Sequence, residues 1–449
     1  SGLKNLLGLE NNHINAWYLD GFDPSKNKSM WSNSVFQYIK FLSARDATFG
    51  TFTSAGFVKR GLKKFGFEVD KVKGFGKKRH KLIGRKSLDA SDASTEKVKK
   101  KKIGIIGSGI AASSAAYAAA QNGANVEIFE STDDIAGGAS GNPVAAMYPR
   151  FSANNSPYSF LTAQGYFFAE KIYTQLPSAY RKTGLLFSHS NDYQEQWMLD
   201  MQNLNRADLF EIINKKKMKQ LYGFESHGLL VKEGGYLFPK LICKEMITHP
   251  NIKVSYNHCF ENWFKNKSKI DIQFINQEKK SGFDVLIIAN GPSLEKYLSG
   301  LKISKGQLVG LKGDQPIDLD LPINSAGYIL PKVNEITWIG STHEREFENM
   351  DVCLEAGHEL IKRTNKNFDI TLAGLDSMVM KANYRVGSKD RLPLAGKIEE
   401  NIYAIGGLGS RGFSLGPILG EHVASLINNS PSPISSGIAL AVEPLRFKD

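Results

Sequence analysis

The sequence predicts an α/β protein with two unequal α/β regions on either side of a polar linker. Short apolar runs alternate with amphipathic stretches over residues 1–84, and the same order returns after residue 102. Between them, RKSLDASDASTEKVKKKK is polar, charged and free of aromatic residues, as expected of an exposed linker. The 449 residues leave room for two or three domains of about 100–200 residues each. We therefore predict a first domain at 1–84, a linker at 85–102 and a second domain at 103–449.

The first region contains strand and helix patterns in alternation. Its predicted elements are a buried strand at AWYLD (16–20), an amphipathic helix at SNSVFQYIKFL (32–42), a strand at ATFGTFTSA (47–55), a helix at FVKRGLKKFG (57–66) and a strand at FEVDKVK (67–73).

Composition favours a soluble globular protein, with 41% hydrophobic and 23% charged residues. Cys243, Cys259 and Cys353 form no CxxC pair, so we expect no disulfide framework and no metal site, and a reducing cytoplasm fits best. No run of about 18 apolar residues and no N-terminal signal pattern is present, so we expect neither secretion nor membrane insertion.

The net charge of +12 is partly clustered. The clusters are Lys77, Lys78, Arg79 and Lys81, then Lys99 to Lys102, then Lys215 to Lys217. Such clusters attract polyanions, but runs of this kind are more often solvated loops and helix faces. Charge alone leaves a nucleic acid as one candidate partner.

A dinucleotide-binding pattern begins the second region. In KKIGIIGSGIAASSAAYAAAQNGANVEIFE, Gly107, Gly109 and Ala112 form G-x-G-x-x-A between an apolar strand and an Ala-rich helix. Gly107 allows a tight turn, Gly109 lets the backbone approach a pyrophosphate, and Ala112 lets helix and strand pack closely. A second strand ends at Glu130, which can accept a hydrogen bond from a ribose hydroxyl. The pattern predicts FAD or NAD.

Three later segments favour FAD over NAD. They are GGASGN (137–142), DVLIIANG (284–291) and NIYAIGGLGSRGFSLGP (401–417). A simple NAD domain needs no further glycine-rich helix start hundreds of residues downstream. An extended FAD requires such a second glycine-rich helix start, because a second loop and helix N-terminus hold its ring and stabilise the reduced flavin.

Together these segments resemble the D-amino-acid oxidase, glycine oxidase and sarcosine oxidase superfamily. The resemblance implies a glycine oxidase-like FAD domain with an inserted antiparallel β substrate subdomain at about 151–225 and 300–380. It also implies oxidation of a carbon next to an amine. The residues expected to contact FAD are Gly107, Ser108, Gly109, Ile110, Ala112, Glu130, Gly138, Ala139, Ser140, Asn142, Asn290, Gly291, Gly407, Gly409, Ser410, Arg411 and Gly412.

Substrates of this superfamily usually carry a carboxylate, so the pocket needs an arginine. Arg385 in ANYRVGSKDRLPLAG and Arg411 in GLGSRGF stand at motif positions. Two alternatives without a substrate role stay open: Arg385 forms a structural ion pair with Asp390, or Arg411 contacts only FAD. Tyr328 and Lys332 in GYILPK match a strand that lines the pocket in glycine oxidases.

The first region is similar to the second half of a methyltransferase domain. AWYLDGFDPSKNKSMW, TFTSAGFVKRGLKKFGF and KGFGKKRHKLIG resemble the family of bifunctional enzymes that make 5-methylaminomethyl-2-thiouridine in tRNA. YRVGSKDRLPLAG and GLGSRGF resemble its oxidase half. The resemblance implies a truncated Rossmann-type methyltransferase before the oxidase, with S-adenosylmethionine as a second cofactor and tRNA as the partner.

Asp20 matches an acid that lies beside the methyl acceptor in that family, where it would take a proton from the amine. Its alternative role is to cap the DGFDP turn. No glycine-rich cofactor loop precedes Ala16, and roughly 150 residues would be expected before the linker. We therefore expect an incomplete methyltransferase domain that does not transfer methyl groups alone.

The resemblance implies modification of the wobble uridine. The FAD part would convert a carboxymethylaminomethyl group to aminomethyl, and methylation would follow in an intact enzyme; a monomer is expected. One alternative is a stand-alone oxidase of free glycine or sarcosine, which leaves residues 1–84 unexplained. Another is a tRNA-binding module with a vestigial flavin fold, which the intact glycines at 107, 109, 409 and 412 disfavour.

Overall fold

The computed structural model describes residues 14–447 except 22, 75, 77, 78, 88–99, 152–155, 189–191, 204, 205, 318 and 326. Most of the predicted linker, together with Lys77, Lys78 and Lys99 of the basic clusters, lies outside the described residues. The chain divides into two compact units, Ser1–Lys99 with Ser425–Ser432, and Lys100–Ala424 with Pro433–Asp449.

Over its described residues from Ile14 to Lys86, the first unit holds one mixed sheet and two α-helices. Its elements are β1 (Ile14–Leu19), α1 (Asn33–Leu42), β2 (Ser43–Thr51), α2 (Gly56–Lys64), β3 (Phe67–Lys73) and β4 (His80–Lys86), with a 3-10 turn at Lys28–Trp31. The strand order is β1-β2-β4-β3. β1 and β2 are parallel, and β4 pairs antiparallel with both β2 and β3. The predicted alternation of strands and helices is confirmed.

Helices α1 and α2 pack closely because α2 has a glycine where they meet. Ser32 caps α1 by accepting a hydrogen bond from the backbone N–H of Val35. A Cβ on Gly61 would lie only 2.3 Å from the ring of Phe36, so only glycine allows this approach. Phe36 is therefore buried together with Leu62 in the core of this unit.

The prediction of a buried strand at residues 16–20 is correct for the strand and wrong for its burial. The strand exists, but Tyr18 is 90% exposed. Within the described sheet β1 is an edge strand. A short apolar run does not distinguish a central strand from an edge strand, because its burial depends on distant neighbours.

The rest of the described chain forms the following elements. They are β5 (Lys102–Ile106), α3 (Ile110–Gln121), β6 (Asn125–Phe129), β7 (Ala145–Met147), α4 (Pro157–Tyr173), β8 (Tyr180–Arg181), β9 (Leu185–Ser188), α5 (Asp192–Asn203), β10 (Phe210–Ile213), α6 (Lys215–Tyr222), β11 (Gly228–Val231), β12 (Gly235–Leu237), α7 (Pro239–Met246), β13 (Ile252–Ser255), β14 (Phe260–Asn266), β15 (Lys269–Phe274), β16 (Lys279–Phe283), β17 (Val285–Ile288), β18 (Leu301–Lys312), β19 (Ile323–Asn324), β20 (Tyr328–Ile329), β21 (Ile336–Gly340), α8 (Leu354–Phe368), β22 (Val379–Ser388), β23 (Leu394–Glu399), β24 (Ile402–Gly406), α9 (Gly412–Ile427) and α10 (Ser436–Ala441).

A largely parallel sheet carries the dinucleotide pattern. Its order is β13-β6-β5-β17-β24-β23, with β23 antiparallel and the other neighbours parallel. The apolar run at β17 is fully buried. Strands β5, β17 and β24 bring together three segments that are far apart in sequence, because the carboxyl ends of parallel strands meet at one edge.

A second large sheet has the order β10-β11-β9-β19-β20-β21-β18-β22. Its neighbours are antiparallel except for the parallel pair of β9 and β19. The predicted fold class is confirmed in its architecture: a smaller α/β region precedes a larger α/β domain that contains a second, largely antiparallel sheet. β22 forms one edge of this second sheet and brings it to the dinucleotide turns.

Candidate active site

The turn between β5 and α3 has the geometry that the glycine pattern predicts. Gly107 has φ of +97°, and a Cβ there would lie 2.6 Å from the carbonyl oxygen of Ala289. Gly109 immediately precedes α3, and the N–H of Ile110 donates to Ser140 Oγ at 2.9 Å. Two of the later predicted segments, around residues 140 and 289, therefore contact the turn directly.

Glu130 lies at the end of β6 and is 8% exposed. Its Oε2 accepts a hydrogen bond from Ser108 Oγ, and its Oε1 accepts bonds from Ser131 Oγ and from Thr132 through both N–H and hydroxyl. Four donors therefore already hold the carboxylate. A ribose hydroxyl would have to share Oε2, which has a single donor.

Strand β22 packs against three predicted cofactor segments. These are the turns Ala139–Gly141, Gly291–Lys296 and Gly409–Arg411. A Cβ added at Gly138, Gly291 or Gly409 would meet no atom within 4 Å, so each turn borders open space. Three separate glycine-containing turns thus contact a single strand.

Helices α3 and α9 begin beside one another. Three glycines spaced four residues apart on α9, Gly412, Gly416 and Gly420, face α3. A Cβ on Gly420 would lie 2.6 Å from the backbone of Ser114, and one on Gly412 would lie 3.0 Å from Ile110. The glycines allow this close contact, and it places the turn around Ser410 next to the start of α3.

The grouped residues fit FAD. Both helix N-termini supply a positive dipole, one for a pyrophosphate and one for a reduced flavin. Asn290 carries a buried side-chain oxygen without a hydrogen-bond partner among the described residues. A buried polar atom of this kind calls for a donor, and the ligand expected here supplies hydroxyl and ring N–H groups.

Arg385 lies at the centre of a polar cluster, which we call the Arg385 cluster: Arg385, Ser341, His343 and Tyr328. Its guanidinium donates to His343 Nδ1 at 2.8 Å and to Ser341 Oγ at 3.0 Å. It has no carboxylate partner in the described part of the chain. Asp390 instead pairs with Arg446, so the structural alternative for Arg385 is excluded.

The bond to Arg385 determines the state of His343. A guanidinium can only donate, so Nδ1 must accept and the imidazole is neutral. Burial lowers the pKa of His343, and the charges of Arg385 and Arg345 lower it further. Burial also lowers the pKa of Arg385, whose charge nevertheless persists. The cluster thus carries a positive charge with neutral partners.

Tyr328 belongs to this cluster and Lys332 does not. Burial raises the pKa of Tyr328 to about 12, against the opposing effects of Arg385 and a hydrogen bond with Ser341. Its hydroxyl is therefore protonated at neutral pH. Lys332 lies in ion pairs with Asp314 at 3.1 Å and with Glu335 at 2.9 Å.

Arg411 is held by an aromatic residue that the sequence analysis missed. Its guanidinium lies 4.9 Å from the ring centroid of Tyr148 and donates to the Tyr148 hydroxyl at 3.3 Å. Asn324, which pairs across the sheet with Tyr328, also donates to that hydroxyl at 3.4 Å. These contacts connect the surroundings of Arg411 with the Arg385 cluster.

Sequence reasoning also missed two neighbours of Arg385 on β22. Lys381 donates to the carbonyl of Gly141, and the side-chain amide of Asn383 lies 2.8 Å from that of Asn142. Burial, with the charge of Lys240, lowers the pKa of Lys381. The signal was available: residues 381, 383 and 385 alternate along one strand, so they share the face toward the cofactor turns.

In the first unit, Asp20 is exposed at the end of β1 and accepts a hydrogen bond from the Gly21 N–H at 2.8 Å. This contact matches its predicted turn-capping alternative and leaves the carboxylate accessible. Among the described residues, no helix is long and apolar enough to cross a membrane. Nor do three or more potential metal ligands cluster in that part of the chain.

Two protein families match the chain. The family described as FAD dependent oxidoreductase matches residues 102–426, and that described as S-adenosyl-L-methionine-dependent methyltransferase matches residues 3–87. Among curated relatives, the tRNA 5-methylaminomethyl-2-thiouridine biosynthesis bifunctional protein MnmC of Marinomonas sp. (strain MWYL1) is 28% identical, over 97% of this chain and 74% of that protein. The protein of the same name from Campylobacter jejuni subsp. doylei is 27% identical, over 96% and 73%.

Solved structures of amine oxidases share the fold. Glycine oxidase from Geobacillus kaustophilus superposes with a TM-score of 0.65 at 16% identity, covering 78% of this chain and 100% of that one. Iminodiacetate oxidase from Chelativorans sp. BNC1 gives 0.64 at 17% identity, covering 76% and 98%. The oxidoreductase match spans well over half of the sequence and includes the converging turns and Arg385. The chain therefore belongs to the FAD dependent oxidoreductase family.

Proposed function

We propose that this chain oxidises the side chain of a tRNA wobble uridine, converting 5-carboxymethylaminomethyl-(2-thio)uridine to 5-aminomethyl-(2-thio)uridine. One observation carries the proposal: Arg385, a half-buried cation with neutral hydrogen-bond partners, lies on the strand face that meets the cofactor turns. The names of the bifunctional relatives supply the tRNA context.

When bound, FAD would supply the hydride acceptor for the carbon between the substrate nitrogen and its carboxylate, and hydrolysis of the resulting substrate imine would release glyoxylate and leave the aminomethyl group on the uridine. The predicted cofactor residues would hold FAD. In particular, the turn at Gly107–Gly109 would hold the pyrophosphate, Glu130 a ribose, and the turn at Gly409–Arg411 the ring.

Arg385 would bind the carboxylate through two parallel hydrogen bonds, which fix the neighbouring carbon in direction as well as position. His343 and Ser341 would hold the guanidinium in place. Protonated Tyr328 can donate a further hydrogen bond to the same carboxylate. Arg411 is the second candidate, with its guanidinium orientation supported by Tyr148.

The deciding experiment uses the FAD-loaded chain and tRNA that carries the carboxymethylaminomethyl nucleoside. After incubation, tRNA is digested and its nucleosides are measured by mass spectrometry, with glyoxylate measured in parallel. We expect the aminomethyl nucleoside and glyoxylate in equal amounts. Free glycine and sarcosine serve as competing substrates, with hydrogen peroxide as the readout. Efficient oxidation of either one, with the tRNA left unchanged, would establish the stand-alone oxidase instead.

The first unit extends this proposal to a second step. We propose that its sheet is part of a methyltransferase domain that uses S-adenosylmethionine, with Asp20 beside the amine that the first step exposes. An arm of the same assay with added S-adenosylmethionine reports methylation separately, as the 5-methylaminomethyl nucleoside. We further propose that the enzyme is cytoplasmic and monomeric. Measuring the size of the FAD-loaded chain in solution, with and without tRNA, tests the monomeric state.

A further inference from the structure

Positive charge is concentrated in the first region of the chain. Of the 57 Lys and Arg and the 45 Asp and Glu, residues 1–87 hold 17 and 6, whereas residues 88–449 hold 40 and 39. Nearly the whole net charge therefore belongs to less than a fifth of the sequence. A local excess of this size attracts a polyanion to that region.

Helix α2 is the most basic element of this region. Its nine residues include Lys59, Arg60, Lys63 and Lys64 and no acidic residue. None of these four cations forms an ion pair with any residue that the structure describes. Their charge is therefore available to an anionic partner, unlike that of Lys217 on α6, which pairs with Glu211 at 2.7 Å.

A cleft of about 390 Å³ lies beside this helix, within the first unit. Arg60 and Lys64 line it from α2, with Phe57, while Trp31 and Asn33 line it from the other side. Arg60 and Lys64 are one helical turn apart, so their side chains are neighbours on one face. Phe57 is 39% exposed, which leaves part of its ring open to the cleft. The lining includes no acidic residue.

Cations beside an exposed aromatic ring suit a nucleotide of RNA. The cations bind phosphate oxygens, and the ring stacks on an unpaired base. An acidic peptide would use the cations but would leave the aromatic and amide groups without a matching partner.

We propose that this cleft binds an RNA segment of the substrate tRNA, with Arg60 and Lys64 on backbone phosphates and Phe57 against a base. The proposal rests on the proposed function, from which the tRNA substrate comes. It assigns RNA binding to residues of the first unit, none of which belongs to the Arg385 cluster.

The test measures binding without turnover. A fluorescently labelled unmodified tRNA is titrated with the FAD-loaded chain, and anisotropy gives the affinity over a series of NaCl concentrations. The double variant Arg60→Ala with Lys64→Ala should lower the affinity about tenfold or more and reduce the slope of log K against log salt by about 2, one for each lost phosphate contact. The charge-conserving pair Arg60→Lys with Lys64→Arg should retain most of the affinity, which excludes a general folding defect.

A matched control removes two cations elsewhere. Lys215→Ala with Lys216→Ala on α6 makes the same change of net charge and should leave affinity and slope nearly unchanged. Equal loss in the two double variants would overturn the proposal, because binding would then follow net charge alone. Unchanged tRNA affinity in the double variant Arg60→Ala with Lys64→Ala would overturn it as well.

Phe57→Ala tests the base contact. Loss of one stacked base should lower affinity about tenfold without changing the salt slope. Polyglutamate displacing tRNA as well as unlabelled tRNA does, together with a silent Phe57→Ala, would indicate an acidic protein partner and contradict the RNA assignment. Glyoxylate release from tRNA that carries the carboxymethylaminomethyl nucleoside is recorded for every variant at a saturating tRNA concentration. Failure of the oxidase proposal would appear as absent glyoxylate and not in the anisotropy, so the two failures are distinguishable.

Discussion

The two units of this protein differ sharply in charge and in how their polar groups are used. The first unit is strongly basic, and the cations of α2 lack ion-pair partners among the described residues. The second unit is nearly neutral overall, and the polar residues Lys381, Asn383 and Arg385 lie on β22, the strand that three turns contact. The contrast agrees with the two roles that we propose: long-range attraction of a polyanion in one unit, and short-range orientation of one small group in the other.

Replacing Gly109 with Val should produce the largest difference between the two units, because it should abolish flavin binding and leave tRNA binding intact. A side chain at the start of α3 fills the space through which a pyrophosphate approaches, so we expect the flavin absorbance of the purified protein to be lost. Binding of labelled tRNA should persist. Gly109 suits this test better than Gly107, because its φ of −69° allows any residue. Gly437→Val, at an exposed glycine with no atom within 4 Å of its Cβ position, is the control. Full flavin absorbance in the Gly109 variant would contradict the assignment of this turn.

Replacing Arg385 with Ala should leave flavin absorbance intact and lower kcat/KM by about 100-fold or more, on the order of 3 kcal/mol, because the carboxylate loses its charged partner. Arg385→Lys should recover only part of the lost kcat/KM, because lysine lacks the planar guanidinium group that forms two parallel hydrogen bonds. Lys389→Ala, an exposed cation four residues further on, is the matched control for steady-state kinetics. A parallel loss of flavin in the Arg385 variant would indicate a structural role.

Acid should destabilise the second unit through His422. Burial lowers the pKa of His422 to about 4, from an ordinary value near 6.5. As pH falls through this window the unfolded chain binds the proton first, so the free energy of unfolding should decrease by about 3 kcal/mol between these values. Denaturant unfolding monitored by flavin fluorescence at several pH values measures this.

His422→Gln is the control variant, because glutamine stays neutral throughout. Its dependence on pH over the same window should be much flatter, whatever its stability at neutral pH. Identical slopes for the two proteins would show that another group causes the acid sensitivity.

A smaller effect is expected from His343. Its pKa lies below the ordinary value, so at neutral pH it accepts the bond from Arg385, and protonation at lower pH removes that bond. We expect KM for a carboxylate substrate to rise about fivefold as pH falls through the lowered pKa. His343→Gln retains an acceptor at every pH and should remove this rise, whereas His343→Ala should show the higher KM throughout. A rise in kcat alone would argue against positioning of Arg385.

The success and failure of sequence reasoning here follow from the range of the interactions. Gly107, Gly109 and Glu130 were predictable because one βαβ unit contains the turn, the helix and the acid. Ser341 and His343 were not, because they reach Arg385 from residues more than 40 positions away, and no local pattern marks them. The edge position of β1 was missed for the same reason, since the exposure of Tyr18 depends on which strands lie beside it.

The amino-acid sequence by itself determined the α/β class, the dinucleotide turn and the excess of cations in the first region, because each depends on local spacing or on composition. Only the tertiary structure decided that Arg385 pairs with His343 and Ser341 while Asp390 pairs with Arg446, that Lys332 is bound by two carboxylates, and that Arg60 and Lys64 border a cleft. Pairing of this kind is a competition among side chains distant in sequence, and its outcome depends on which partners the folded backbone places within hydrogen-bonding distance.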